Sequence, residues 1–151
     1  MPAMRDSVTV DKFRRFFQGN EDAVGFAMML IHVCDVWDDL FDKDCEVRDP
    51  DLHNAFMFAL CAMPRNRFYR QHMDELMPLI ELGVVNWLTA NRFEASKDKK
   101  SLEIANVIRH SIGDVFIHMA RLIGGMQWGI EVAPELKLLV QNDTLEEYLE
   151  K

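Results

Sequence analysis

The chain has 151 residues, of which 49% are hydrophobic and 28% are charged, and its formal net charge is −8. This composition predicts a single globular domain over residues 1-151 and excludes a disordered chain. The excess of acidic residues argues against a general nucleic-acid binder, whose affinity would come from phosphate neutralisation. An acidic surface instead favours a basic protein partner or bound cations.

The three cysteines, Cys34, Cys45 and Cys61, have neither the even number of a disulfide framework nor the spacing of a zinc site. They therefore predict a reducing compartment. The longest apolar stretch, residues 23–31, is too short to span a membrane. We expect a cytoplasmic protein without a membrane partner.

Apolar residues recur at helical spacing along nearly the whole chain. This pattern predicts an all-α fold, a bundle of four main helices with short additional terminal helices. A short first helix begins at Ser7 or Thr9. Asn20 is a good N-cap residue, and it predicts a long second helix from residue 21 to about residue 43.

Asp49, followed by proline, predicts the start of a third helix, which is expected to end before Pro64. Asn66 begins a long helical segment that reaches about residue 95. An interior proline removes one backbone hydrogen bond, so a kink is expected at Pro78.

The polar residues 96–100 predict a turn, and Ser101 is a candidate N-cap for the next helix. This helix is expected to run without interruption to the glycine pair Gly124-Gly125, where helices commonly end. The tail is predicted to contain two short helices, at residues 134–139 and 145–149.

The second predicted helix carries an aspartate stripe, which consists of His32, Asp35, Asp39 and Asp42, with Asp38 at its edge. Its opposite face is apolar and consists of Leu30, Val33, Cys34, Trp37, Leu40 and Phe41. Aspartate is a poor helix former, and negative charge is disfavoured in the C-terminal half of a helix. Because no lysine or arginine is interleaved, the stripe predicts a compensating cation. The alternative interpretation is a solvated polar face.

A second polar ladder consists of Asn106, His110, Asp114 and His118, at intervals of four residues. We expect Asp114, supported by Asn106 and His110, to face the aspartate stripe across the bundle and to complete a metal site with it. Oxygen ligands favour Mg²⁺ or Mn²⁺ over zinc. Here too, a ladder that faces water is the alternative.

Three arginines, Arg65, Arg67 and Arg70, lie at the start of a predicted helix, where backbone N–H groups also favour anions. They are candidates for binding the phosphate of a cofactor or substrate. Arg109, which flanks the polar ladder, is a further candidate, as is Arg121. The alternative is a solvent-exposed basic turn that balances an acidic protein.

The run from Asp38 to Asp42 has the sequence DDLFD and resembles the DDxxD motif of the helical isoprenoid synthases. In that family the motif binds Mg²⁺ that grips a diphosphate, and terpene synthases add a second motif of Asn or Asp, Ser or Thr, and Glu at i, i+4 and i+8. Asn106, His110 and Asp114 have this spacing, with His and Asp at the last two places. The resemblance implies Asp38, Asp42 and Asp114 as metal ligands.

The likeness covers about eight positions, and this chain is much shorter than members of that family. Only metal–diphosphate chemistry is therefore carried over, and not the substrate. Small helical nucleoside-triphosphate pyrophosphatases are more similar in size and use acidic helices with Mg²⁺, but the resemblance to them is weaker.

Three hypotheses follow. The first is a Mg²⁺-dependent enzyme, a diphosphate lyase, transferase or pyrophosphohydrolase, in which His110 acts as general acid or base. The second is a non-enzymatic acidic helical protein, such as an inhibitor, adaptor or assembly factor. In the third, the metal site is purely structural. The corresponding partners are a phosphorylated small molecule, a basic protein or a second copy of the chain.

Overall fold

The computed structural model of the chain describes residues 7–141 and 143–150, and all regular elements within these ranges are helical. The prediction of an all-α helical bundle is therefore confirmed. The contacts divide the chain into two compact units, Met1–Met73 and Asp74–Lys151, which are described separately below. A single domain over 1-151 stays a prediction.

The first unit contains α1 (Ser7–Phe16), α2 (Glu21–Asp42), α3 (Asp49–Met57), a π-helical turn (Phe58–Ala62) and α4 (Met63–Arg65). The long helix α5 (Arg67–Ser96) begins in the first unit and continues into the second. The second unit also contains α6 (Lys99–Ile108), α7 (Gly113–Gly124), α8 (Met126–Val140) and α9 (Leu145–Leu149).

Helix α2 has the bounds that the sequence predicts. The side chain of Asn20 accepts a hydrogen bond from the backbone N–H of Ala23 at 3.1 Å and so caps its start. At its end, Lys43 adopts a left-handed conformation with φ of 58°, and its N–H donates to the carbonyl oxygen of Asp39 at 2.9 Å. The helix therefore has a defined stop directly after the aspartate stripe.

Aromatic rings form the core of the first unit. The predicted first helix is confirmed, and Phe13 and Phe16 are fully buried with their rings edge to face at 5.8 Å. The rings of Phe26 and Tyr69 are stacked at 4.8 Å, which places the start of α5 beside the first half of α2. The side-chain amide of Asn66 also donates to the carbonyl oxygen of Asp22 at 2.9 Å.

The third helical run does not end before Pro64, contrary to the prediction. It continues through the π-helical turn, in which the N–H of Met63 donates to the carbonyl oxygen of Phe58, five residues earlier. A proline ring clashes with the carbonyl group four residues before it in a regular α-helix. The wider turn directly ahead of Pro64 accommodates that carbonyl, so the chain stays helical as far as Arg65.

The expected kink in α5 lies at His72, with φ of −125° and ψ of 17°, and not at Pro78. The fixed φ of proline is itself helical, so a helix can continue through proline with the loss of one hydrogen bond. This position also marks the end of the first unit, since the second unit begins at Asp74.

In the second unit, the predicted continuous helix from Ser101 to Gly124 is wrong. Helix α6 begins earlier, because the carboxylate of Asp98 caps it by accepting from the N–H of Ser101 at 3.1 Å. It ends at Ile108, and tight turns over residues 109–112 separate it from α7.

Close packing explains this interruption. A methyl group on Gly83 of α5 would lie 3.0 Å from the side chain of Ile112, and one on Gly113 would lie 3.0 Å from Val140. The chain around this turn therefore packs so closely on α5 and α8 that a methyl group at Gly83 or Gly113 would displace its neighbour. Propensity and spacing within residues 101–124 cannot anticipate contacts with residues so distant in sequence.

Helices α7 and α8 meet at Gly125, which has φ of 91° and confirms the predicted stop. Helix α8 is longer than predicted and runs through Pro134, again because a proline costs a packed helix one hydrogen bond and not its continuity. The predicted terminal helix is present as α9, capped by Thr144. Within the described ranges, no helix has the length and apolarity needed to cross a membrane.

Candidate functional site

The C-terminal half of α2 presents large apolar side chains to solvent. Over the first half of the helix, residues such as Phe26 and Leu30 are buried. Further along the same face, Trp37 is 44% exposed, Leu40 47% and Phe41 55%. The side chains of the predicted apolar face are therefore buried along the first half of α2 and about half exposed at its end.

These side chains form one patch, because they are spaced at i, i+3 and i+4 on a helix. Three acidic residues adjoin the patch: Asp38 is half-buried, and Asp42 and Asp44 are exposed. We call this combination of Trp37, Leu40, Phe41, Asp38, Asp42 and Asp44 the α2 face. Its signal in the sequence is an apolar triplet interleaved with aspartates, which predicts the apolar face of the helix opposite the aspartate stripe.

Acidic residues outnumber basic ones at the end of α2, where Lys43 directly follows the helix. The last turn contains no basic residue, while the unsatisfied carbonyl groups of a helix C-terminus already carry partial negative charge. The aspartates add to that charge. A cation at this position, from a metal or from a partner's lysine or arginine, would be stabilised by the same groups.

Asp39 lies on the side of α2 that faces the following loop. Its carboxylate accepts a weak hydrogen bond from the thiol of Cys45 at 3.8 Å and raises the pKa of that thiol. The two residues line an open depression of about 490 Å³, whose other lining residues are Leu40, Lys43, Asp44, Glu46 and Val47. Both acidic and apolar groups are therefore accessible at this end of the helix.

Asp35 does not share the exposure of the later aspartates of the stripe. It is buried in the first unit. The neighbouring thiol of Cys34 has its pKa raised to about 12, first by burial and then by the charges of Asp35 and Asp38. His32 is likewise a packing residue, since its Nε2 is hydrogen-bonded to the carbonyl oxygen of Asp51 at 2.9 Å.

The second predicted ladder loses its regular spacing in the structure. Asn106 lies on α6, His110 lies in the tight turns, and Asp114 is in the first turn of α7. Bonds between residues three apart, such as Gly113 N–H to the carbonyl of His110 at 3.0 Å, wind the chain more tightly than an α-helix. The i+4 relationship therefore no longer places the three side chains on one face.

Asn106 is the most buried residue of this ladder. It is 6% exposed, and its side-chain Oδ1 has no hydrogen-bond partner within the described residues. Asp114, by contrast, forms an ion pair with Lys137 of α8. The ammonium group of Lys137 therefore balances the charge of the Asp114 carboxylate.

Arg109 belongs to a polar cluster inside the second unit, and its role in phosphate binding stays a prediction. Its Nε donates to Glu94 at 3.2 Å, and its terminal nitrogen also contacts Glu94 and Asn91. The side chain of Arg109 is only 13% exposed. Tyr148 of α9 donates its hydroxyl proton to the same carboxylate, and burial and that contact raise its pKa to about 12.

The sequence does not predict the cluster of Arg109, Glu94 and Tyr148. Glu94 and Tyr148 are 54 residues apart, and neither belongs to a recognisable motif. The only available signal was a tyrosine in the otherwise acidic tail, which does not identify a partner.

The remaining arginines, Arg65, Arg67 and Arg70, are all exposed. They lie at the start of α5, near the first half of α2, where Tyr69 stacks on Phe26. From Phe26 to Asp38 the helix rises by about 18 Å, at 1.5 Å per residue. Arg65 and Arg67 follow the segment that packs on α2, and their role in binding a phosphate stays a prediction.

No three His, Cys, Asp or Glu side chains are grouped to hold a metal ion in the part of the chain that the structure describes. The aspartates belong to the first unit, and Asn106, His110 and Asp114 belong to the second, so their meeting in one site stays a prediction. In comparisons with known proteins, no family model, curated protein or solved structure matches this chain.

Proposed function

We propose that this chain is a non-enzymatic acidic helical protein that binds a basic protein partner through the α2 face. One observation carries the proposal: Trp37, Leu40 and Phe41 are 44–55% exposed beside carboxylates at the C-terminal end of α2. Apolar patches with a polar rim are typical of protein-binding surfaces.

The two components of the face have different roles. Burial of the apolar side chains supplies affinity, at about 25 cal/mol for each Å² removed from water. The aspartates supply specificity and a faster encounter with positive charge, and a lysine or arginine of the partner offsets the charge of the helix end. A partner with basic residues around an apolar strip satisfies both requirements.

The state of the other candidate residues supports this choice over catalysis. Asp114 is paired with Lys137, and Arg109 is paired with Glu94. Asp114 and Arg109 are thus engaged in ion pairs, whereas the apolar side chains of the α2 face are about half exposed to solvent.

A calorimetric titration tests the proposal with two synthetic helical peptides, one of leucine and lysine and one of leucine and glutamate in the same pattern. We expect the lysine peptide to bind, more weakly at high salt, and the glutamate peptide not to bind. Leu40→Ser should reduce the affinity at least about tenfold. Leu88→Ser is the matched control, because both leucines are 47% exposed and Leu88 lies on α5.

Two outcomes would refute this function. One is equal binding of both peptides. The other is equal loss of affinity in Leu40→Ser and Leu88→Ser, which would mean that exposed leucines in general, and not the α2 face, attract the peptide.

The second candidate is the Mg²⁺-dependent enzyme acting on a diphosphate. It is favoured by the buried Oδ1 of Asn106, which has no partner within the described residues, together with the DDxxD-like run. Asp38, Asp39 and Asp42 would hold the metal with Asp114 and Asn106, and His110 would move the proton. The metal would supply charge neutralisation for the diphosphate.

Thermal unfolding with Mg²⁺ or Mn²⁺ separates the two candidates. A metal at a hundredfold excess over its Kd would add about 2.7 kcal/mol and raise the Tm by several degrees. The enzymatic candidate predicts this shift, a further shift with diphosphate, and loss of both in Asp39→Ala and Asp114→Ala. The interaction proposal predicts no metal-dependent shift in the wild type.

A further inference from the structure

A second exposed apolar surface lies on α3 and the π-helical turn of the same unit. Phe56 is 59% exposed, Met57 61% and Leu60 72%. Ala55, on the same helix, is buried. The ring of Phe58 lies edge to face with His32 of α2 at 5.3 Å. The run therefore has one side on α2 and a large apolar side towards solvent.

Asp49 and Asp51 lie in the first turn of α3, but the stretch that follows them is basic and so opposite in charge to the α2 face. Between Leu52 and Arg70 there is no acidic residue and there are three arginines, of which Arg65 and Arg67 directly follow the apolar side chains. We call Phe56, Met57, Leu60, Arg65 and Arg67 the α3 face. Between Asp38 and Asp51, by contrast, there are seven acidic residues and two basic ones.

Each face thus has the properties that the other requires. Two α2 faces would repel each other through their aspartates, and two α3 faces would repel through their arginines. An α2 face against an α3 face buries apolar side chains on both sides and pairs opposite charges. Contact between unlike faces is therefore the favoured arrangement.

We propose that the basic partner is a second copy of this chain, with the α2 face of one copy bound to the α3 face of the other. The inference rests on the proposed function, because it names the partner of the α2 face. Each copy presents one face of each kind, so two copies related by a two-fold axis can make the contact twice, once in each direction.

Sedimentation velocity of the whole chain over a range of protein and salt concentrations tests the proposal. We expect a concentration-dependent assembly that weakens as ionic strength rises. Asp38→Lys/Asp42→Lys makes both faces basic, and Arg65→Glu/Arg67→Glu makes both acidic. Each variant alone should sediment as a monomer, and an equimolar mixture of the two should assemble again, because opposite faces then meet.

Glu131→Lys/Glu150→Lys is the matched control for Asp38→Lys/Asp42→Lys, since both raise the net charge by the same amount, here at exposed residues of α8 and the tail. It should assemble like the wild type, and circular dichroism should show every variant folded. A wild type that is monomeric up to millimolar concentration, or a mixture that stays monomeric although the wild type assembles, would overturn the proposal. If such a monomer still binds the leucine–lysine peptide at the α2 face, only the self-association is wrong and the proposed function stands.

Discussion

The Nε2 of His32 lies 2.9 Å from the backbone carbonyl oxygen of Asp51, and this contact fixes the start of α3 against α2. The same imidazole ring packs on the edge of Phe58. His32 therefore connects the two helices whose outer surfaces form the α2 and α3 faces. A residue that the sequence places in a polar stripe is a structural contact in the fold.

Replacement of this histidine should loosen α3. His32→Ala removes the hydrogen bond to Asp51 and the contact with Phe58, so we expect a loss of about 1–3 kcal/mol in the free energy of unfolding. His53→Ala, at an exposed position of α3, should change it by less than about 0.5 kcal/mol. Urea unfolding of both variants provides the comparison, and equal effects would contradict the role of His32.

Two glycines should respond to alanine in opposite directions. A Cβ at Gly25 of α2 meets nothing within 4 Å, so Gly25→Ala should stabilise the helix by about 0.5–1 kcal/mol. A Cβ at Gly129 would lie 2.1 Å from the Cγ of Arg121, so Gly129→Ala should destabilise the contact of α7 with α8 by about 1–3 kcal/mol. Chemical unfolding measures both, and a stabilising Gly129→Ala would mean that these helices are packed less closely.

The Tyr148 hydroxyl predicts sensitivity to alkaline pH. Its pKa is raised from 10.0 to about 12, because burial and the Glu94 carboxylate disfavour the phenolate. The stabilisation from this group is fully present below pH 10, the value for the unfolded chain, and is lost as the pH rises through about 12. Phenolate absorbance of the wild type minus that of Tyr148→Phe should show a titration centred well above pH 10. A midpoint near 10 would indicate that α9 is detached.

Thiol reactivity should differ sharply between cysteines. Burial raises the pKa of Cys34 to about 12, so its reactive thiolate is scarce at pH 8, whereas Cys61 is exposed. We expect iodoacetamide to label Cys61 first and Cys34 only after unfolding, as read by peptide mass spectrometry. Rapid labelling of Cys34 in the folded protein would contradict its placement.

Local signals in the sequence predict the ends of several helices correctly. Asn20 and Gly125 act through their own side chain or backbone, and such signals need no knowledge of the fold. The interruption at residues 109–112 escapes prediction, because it depends on the approach of the turn to Gly83 and Val140. Pro64 and Pro134 are misleading in isolation, since packing keeps both segments helical.

The candidate site shows the same division. The sequence identifies the aspartates at the end of α2 and the apolar side chains between them, because both follow from helical spacing. It does not reveal that Trp37 and Phe41 are about half exposed, since burial depends on which elements pack on α2. Nor does it reveal that Asp114 and Arg109 have ion-pair partners, because Lys137 and Glu94 are distant in sequence.

The central claim is that the α2 face is the binding surface, and amide hydrogen exchange tests it most directly. The chain would be compared with and without the leucine–lysine peptide, at a protein concentration too low for self-association. We predict slower exchange confined to the second half of α2 and the loop after it, roughly from Trp37 to Val47. Unchanged exchange there, with protection in the second unit instead, would contradict the account.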